Sequence, residues 1–289
     1  MEQLKLSYLI TTFNKLSYLK ITLPFIIENC KADEEIIVID GGSKDGTPEY
    51  LQELKNQGKI HQFLSEPDKG EAHGFNKGML MARGELIKIM SDDDAYDFQV
   101  IDACKHFMLS HPEIDVLGTE GLSTNLVIGK GEFTYSSSAP IFKKWLNKES
   151  SCWFCGLSLL IRKRSLPLIG LFYTGITMID FDYIARLSVI RPHIAFCTGY
   201  SYVNIVSESS NSVKRFNLLK AEQEKVEAFY FGKKPGFGLK ARLRRIALKI
   251  LNRKEVKLMN AVPFPEGFKT GAEHLKNANS KPFTFLHGK

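Results

Sequence analysis

Three consecutive carboxylates, Asp92, Asp93 and Asp94, close a short apolar run at residues 86–90 in which Lys88 is the only charge. Adjacent carboxylates repel one another, so the folded chain must bring positive charge to them. Hard oxygen ligands suit Mg²⁺ or Mn²⁺. Mg²⁺ commonly sits between one or two carboxylates and the phosphates of a substrate. The plain alternative is a solvated acidic turn that caps the next helix. Two more acids stand in turn-forming surroundings: Asp40, followed by Gly41-Gly42-Ser43, and Asp68, within Glu66-Pro67-Asp68-Lys69-Gly70.

The elements between these acids decide whether they meet. Residues 5–11 read as a first strand, ended by Thr12-Phe13-Asn14. A helix follows over residues 16–28, with Pro24 as an interruption. Residues 35–39 are a second strand. Pro48 suits the first position of the next helix, with Thr47 as its cap. Residues 60–64 form a third strand, residues 72–81 a helix carrying Asn76 and Lys77, and residues 86–90 a fourth strand. Alternating strands and helices with short links predict an α/β fold, a Rossmann-like and mostly parallel mixed sheet flanked by helices. Open sheets of this kind bind ligands at the carboxyl ends of their strands. Asp40, Asp68 and the acidic cluster are therefore expected on one edge. That suits a nucleotide, with one acid for base or ribose and a metal for the diphosphate. The chain has no G-x-x-x-x-G-K-[ST] loop and no G-x-G-x-x-G after the first strand, which argues against a P-loop or a dinucleotide cofactor.

At 289 residues, 44% hydrophobic, the chain can bury a sizeable core. Five scattered cysteines suit a reducing compartment, and the lone pair Cys152 and Cys155 reads as core thiols. The N-terminal residues lack the basic region and apolar run of a signal peptide. No apolar run approaches the roughly 18 residues of a membrane span. These features predict a cytoplasmic protein. Residues 233–257 carry ten basic side chains against Glu255 alone, a net +9 against +7 for the whole chain, so the rest is slightly acidic.

The first half resembles the family 2 glycosyltransferases, which have the GT-A fold. The matching pieces are Thr11-Thr12-Phe13-Asn14, the run from Ile37 to Ser43 with Asp45-Gly46-Thr47, Glu66-Pro67-Asp68-Lys69-Gly70, Asn76-Lys77-Gly78, Ala82-Arg83-Gly84-Glu85 and the acidic cluster. Six pieces in order over about ninety residues make a specific pattern. The resemblance implies a nucleotide-diphosphate sugar as donor and Mg²⁺ or Mn²⁺ as cofactor. It places Asp40 on the base or ribose, with Thr11, Phe13, Asn14, Asp68, Lys69, Asn76, Lys77 and Asp92 on the donor side. The cluster is the family's D-x-D element. Read literally, that is Asp92 and Asp94; counted from Gly84-Glu85, it puts Asp93 in the direct ligand position with Asp94 beside it. His73 stands near a place where such enzymes often carry Asp.

Residues 99–111 read as a helix and residues 116–133 as strands with glycine turns, with residues 125–129 as a hairpin arm. Residues 156–162 read as a strand and residues 164–169 as a short helix, before Gly170-Leu171-Phe172. The stretch from Ile179 to Leu187 resembles the family's acceptor-side segment. In inverting members an Asp there is the general base, which falls on Asp180; Ile179 stands where many relatives have Glu. Asp182 and Arg186 are possible acceptor-side residues, although their spacing is also that of an ordinary helical ion pair.

Residues 215–231 read as a polar helix. Residues 238–252 place Leu239, Leu243, Ile246, Ala247, Ile250 and Leu251 on one helical face and basic residues around the rest. A basic amphipathic helix reads as one lying on an anionic membrane surface, where each basic residue contributes about 1 kcal/mol. The basic face lacks aromatic stacking residues, which argues against nucleic acid. Residues from Met259 onward read as irregular. The expected organisation is a GT-A domain over residues 1–212, nucleotide-binding over 1–98 and acceptor-side over 99–212, with a helical basic extension over 213–289. The expected function is an inverting transfer of a sugar to a hydroxyl of a glycan or lipid-linked acceptor, in bacterial surface polysaccharide synthesis at the inner face of the cell membrane. A sugar-nucleotide nucleotidyltransferase and a catalytically silent binding module are the alternatives.

Overall fold

The computed structural model describes residues 4–126, 132–207, 210, 215–232 and 262–288. Four parallel strands build its first half: β1 (Leu6–Thr12), β2 (Glu34–Asp40), β3 (Gln62–Ser65) and β4 (Leu86–Met90). Every residue of β2 and β4 is buried, as expected of strands covered on both faces. Alternation along β1 sends Tyr8 and Ile10 into one core and Leu9 into the other. The helices α1 (Leu16–Asn29) and α2 (Thr47–Asn56) contribute to the first core, and α3 (Glu71–Met81) to the second.

The sheet continues as β4-β8-β6-β9-β10, through β6 (Val116–Asn125), β8 (Leu160–Arg162), β9 (Ile194–Val206) and β10 (Phe285–His287). Here antiparallel pairs mix with the parallel pair β6–β9. Two short strands, β5 (Ala95–Tyr96) on β9 and β7 (Phe133–Tyr135) on β6, complete it. The remaining helices among the described residues are α4 (Phe98–Ser110), α5 (Ala139–Leu146), α6 (Leu166–Ile169), α7 (Ile179–Ile190), α8 (Phe216–Phe231) and α9 (Phe264–Ala278).

Several expectations are corrected. α1 runs through Pro24 without a break. Leu19, Leu23 and Ile26 are buried against the core, and this packing outweighs the one hydrogen bond that proline removes. Residues 116–125 form one long strand, not several with glycine turns. Its glycines serve close packing: a Cβ on Gly118 would lie 2.8 Å from the Phe154 ring, and one on Gly121 2.0 Å from that of Tyr202. Of residues 156–162 only the last three are strand. Gly156–Ser158 is a 3-10 turn, closed by the Ser158 hydroxyl donating to the Cys155 carbonyl at 2.6 Å. The hairpin arm proposed at residues 125–129 falls largely outside the described residues.

The C-terminal region is not irregular. Pro265 lies in the first turn of α9, where a missing N–H costs nothing. Phe268 and Leu275 then pack with Val203 and Ile205 of β9. Gly267 permits the approach, since a Cβ there would lie 2.5 Å from Leu126. β10 then extends the sheet beside β9. The basic amphipathic stretch, residues 238–252, lies outside the described residues.

Candidate active site

Parallel pairing brings the ends of β1, β2 and β3 level, with Thr12 opposite Asp40 and Asp40 opposite Ser65. Asp40 is fully buried. Its carboxylate accepts from the Gly42 and Ser43 backbone N–H groups at 3.2 and 3.0 Å, from the Ser65 hydroxyl at 2.6 Å and from the Ser43 hydroxyl. Ser43 Oγ in turn accepts from the Asn14 N–H at 2.7 Å, and Asn14 Oδ1 accepts from the Lys44 N–H at 2.9 Å. Asp40 and Asn14 thus lock the loops after β1 and β2 into one wall. Phe13, on the same wall, is 58% exposed and is not a core residue. Asp68 crosses against this turn, its Oδ2 3.0 Å from where a Cβ on Gly41 would sit, and accepts from the Gly70 N–H at 2.8 Å. Thr11 is half-buried under α3, where Gly74 brings the helix close.

The other donor-side candidates are engaged elsewhere. Asn76 commits both ends of its amide to the Phe172 backbone, donating to its carbonyl and accepting from its N–H, each at 2.8 Å. Lys77 pairs with Glu66 at 2.8 Å. Lys69 is exposed, and its N–H donates to His73 Nδ1 at 3.2 Å.

The acidic cluster divides in two. Asp92 and Asp93 both turn to Lys15, whose Nζ lies 3.1 Å from Asp92 and 2.5 Å from Asp93. Thr22 fixes the Asp92 carbonyl with a hydroxyl donated at 2.8 Å. Asp94 turns into the protein instead. Its carboxylate accepts from the Ile205 N–H at 2.7 Å and from the Ser91 hydroxyl at 2.5 Å. Burial raises the pKa of Asp92 to about 6, against the pull of Lys15, and that of Asp94 to about 8, with Asp93 adding to the effect. The literal D-x-D pair, Asp92 with Asp94, is therefore split by geometry, and so is Asp93 with Asp94. The carboxylates that converge on one point are Asp92 and Asp93.

Those two suit a hard divalent cation, since they already share one positive charge. Among the described residues no group of three or more acids, histidines or cysteines is placed to hold a metal. The protein would supply two carboxylates, and phosphates the rest, which is the usual division for Mg²⁺.

On the acceptor side, Asp180 opens α7. It accepts from the Phe181 N–H at 2.8 Å and the Gly156 N–H at 3.2 Å. Gly156 is needed there, because a Cβ would lie 2.7 Å from that of Asp180. The 3-10 turn holding Gly156 is tied to β4 by the buried Lys88 amine, which donates to the Leu157 carbonyl. Burial lowers the Lys88 pKa to about 7 and raises that of Asp180. Asp182 is buried, with one oxygen 3.3 Å from the Tyr230 hydroxyl and the other unpartnered. The expected Asp182–Arg186 ion pair is not made: Arg186 donates to the Leu171 carbonyl at 2.6 Å and stacks over Tyr183. Between α7 and α8 a groove of about 340 Å³ is lined by Trp153, Met178, Phe181, Gln223 and Phe231, among others.

Three residues that matter here were not expected from the sequence. Lys15 follows directly after Thr11-Thr12-Phe13-Asn14, and the need for positive charge beside three acids was its signal. Glu71 heads α3 at the rim, with its surface exposed; partial loss of water around its carboxylate, and the charges of Asp92, Asp180 and Asp93 against that of Lys15, push its pKa up. Glu222 of α8 accepts from the Thr177 and Met178 N–H groups, both at 2.9 Å, and so caps α7 from a different helix. Nothing local in the sequence signals that contact.

The fold is that of the GT-A glycosyltransferases. S. aureus TarS 1-349 in complex with UDP-GlcNAc superposes with a TM-score of 0.59 over 94% of this chain and 92% of that one, at 15% identity. The mannosyltransferase PcManGT from Pyrobaculum calidifontis, in complex with GDP-Man and Mn²⁺, gives a TM-score of 0.57 over 97% and 89%, at 14% identity. Residues 7–129 match the model of glycosyl transferase family 2. The GalNAc(5)-diNAcBac-PP-undecaprenol beta-1,3-glucosyltransferase of Campylobacter jejuni is 36% identical over 92 residues, covering 31% of this chain and 30% of that one. The matched segments span 29–34% of the length of such curated relatives.

Proposed function

We propose that this chain is an inverting glycosyltransferase that moves a sugar from a nucleotide-diphosphate donor to a hydroxyl of a glycan or lipid-linked acceptor, in the synthesis of a bacterial surface polysaccharide. The observation that carries this reading is that the strand ending in the acidic cluster and the head of α7 both hold the 156–158 turn, through the Lys88 amine on the Leu157 carbonyl and the Asp180 carboxylate on the Gly156 N–H. An inverting transfer is a single displacement at the anomeric carbon and needs one centre for each partner. Asp180 takes the proton of the acceptor hydroxyl as the new bond forms. Its raised pKa makes it a better base than an ordinary carboxylate. Asp92 and Asp93 hold Mg²⁺ or Mn²⁺, which when bound supplies charge stabilisation for the leaving diphosphate.

The wall built by Asp40, Asn14 and Asp68 receives the nucleoside, with the exposed Phe13 ring beside the base. The groove between α7 and α8 receives the acceptor. Aromatic and amide side chains on one surface suit the mixed faces of a sugar. A relative acting on an undecaprenol-linked glycan supports the acceptor class. No helix among the described residues is long and apolar enough to cross a membrane. Contact with an anionic membrane at the cytoplasmic face is assigned to residues 239–251.

Calorimetry with UDP, GDP, dTDP and CMP, with and without Mn²⁺, tests the donor site. One diphosphate is expected to bind, and only with the metal. No binding across the panel by folded protein would remove the donor assignment and favour a silent module.

A further inference from the structure

We infer that Lys15 is a resident cation of the acidic cluster, which keeps a free divalent ion out of the site until a nucleoside diphosphate arrives. Lys15 stands just before α1, where its carbonyl accepts from the Tyr18 and Leu19 N–H groups, both at 3.0 Å. Its backbone is therefore fixed, and its ammonium reaches acids 77 and 78 positions along the chain. Among the described residues, no other basic side chain forms an ion pair with Asp92 or Asp93. The Lys15 side chain is 22% exposed and those of Asp92 and Asp93 are 6% and 10% exposed, so the group is largely removed from water.

A divalent ion entering alone must take these oxygens from Lys15. That would leave an ammonium partly buried and unpaired beside a doubly charged metal, an arrangement that burial makes costly. A diphosphate arriving with the ion changes the balance. Its oxygens complete the metal's coordination and give the displaced ammonium a new anionic partner. Metal and diphosphate then bind with positive coupling, each raising the other's affinity by the same factor. Lys15 is a positioning residue in this scheme, moving between the empty and loaded site. The coupling to diphosphate rests on the donor site proposed above; the exclusion of free metal does not.

The test is the free-Mn²⁺ resonance signal titrated with protein in the absence of nucleotide. Lys15→Met keeps the length of the side chain and removes its charge, and is expected to bind Mn²⁺ roughly tenfold tighter than wild type or more, an ordinary size for coupled sites. Lys15→Arg keeps the charge and is expected to match wild type. Equal affinities for wild type and Lys15→Met would overturn the inference. Wild-type protein supplies a second measurement should Lys15→Met fail to fold. Its Mn²⁺ affinity is expected to rise at least several-fold on adding the diphosphate selected by the calorimetric panel. Mn²⁺ bound as tightly without nucleotide as with it would equally overturn the inference. A gain in Lys15→Met with no diphosphate bound by either protein would uphold the exclusion and count against the donor reading alone.

Discussion

The donor edge and the acceptor side treat a buried carboxylate in opposite ways. At the donor edge, Asp92 and Asp93 are compensated by a charge, the Lys15 ammonium. At the head of α7, Asp180 is held by two backbone N–H groups alone. Its neighbour Asp182 also lacks a contact ion pair, because Arg186 is turned toward the Leu171 carbonyl. The difference follows the work proposed for each. A site that takes up a cation benefits from carboxylates already arranged around one. A base must hold a proton in passing, and a nearby cation would weaken it.

The sharpest way to break this comparison is Asp180→Asn. Transfer should fall by about 10²–10⁴-fold, the range for loss of a general base, while diphosphate affinity stays unchanged. Full turnover would leave the acceptor side without its base. Next, Asp93→Ala should lower kcat/KM by about 10²–10³-fold, on the scale of removing one charge-stabilising group, and calorimetry should show that Mn²⁺ no longer aids diphosphate binding. If binding falls equally with and without Mn²⁺, Asp93 serves the nucleotide and not the metal.

A smaller effect concerns pH. Burial raises the Asp180 pKa above the ordinary carboxylate value, so its base form is lost as pH falls through that raised value. Transfer measured with donor saturating should therefore decline at a pH above about 3.9, the unperturbed value for Asp. An acid limb at or below that value would show that Asp180 titrates as an exposed acid. The smallest effect is at Asn76. Its place in the motif is on the donor side, but its contacts hold Phe172 on the acceptor side. Asn76→Ala should cost about 1–3 kcal/mol in urea denaturation, the range for buried groups left unpaired, with little change in diphosphate affinity. A large loss of affinity at unchanged stability would return it to the donor.

The first half was legible because its signals are local. Strands alternate with helices, and turn residues mark each strand end. Parallel pairing then carries Asp40 and the acidic cluster to one edge, as the alternation implies. What remained hidden depends on residues distant in the chain. Lys15 pairs with acids 77 and 78 positions away. Glu222 caps a helix that begins more than forty residues earlier. The direction of Asp94 depends on β9, 111 residues on, whose Ile205 N–H donates to its carboxylate. Glycines misled for the same reason. The glycine turns read within residues 116–133 include Gly118 and Gly121, but each is small because a side chain from elsewhere fills the space.

The return of the chain after residue 261 alters what the basic stretch can do. Gly232 ends α8, which packs on α7, and Val262 re-enters by donating its N–H to the Leu126 carbonyl at 3.3 Å, before α9 and β10 close on β9. The described chain thus leaves the body beside α7 and rejoins it along the outer sheet, twenty-nine residues later. A force applied to the chain between would be delivered to the body at two separate places.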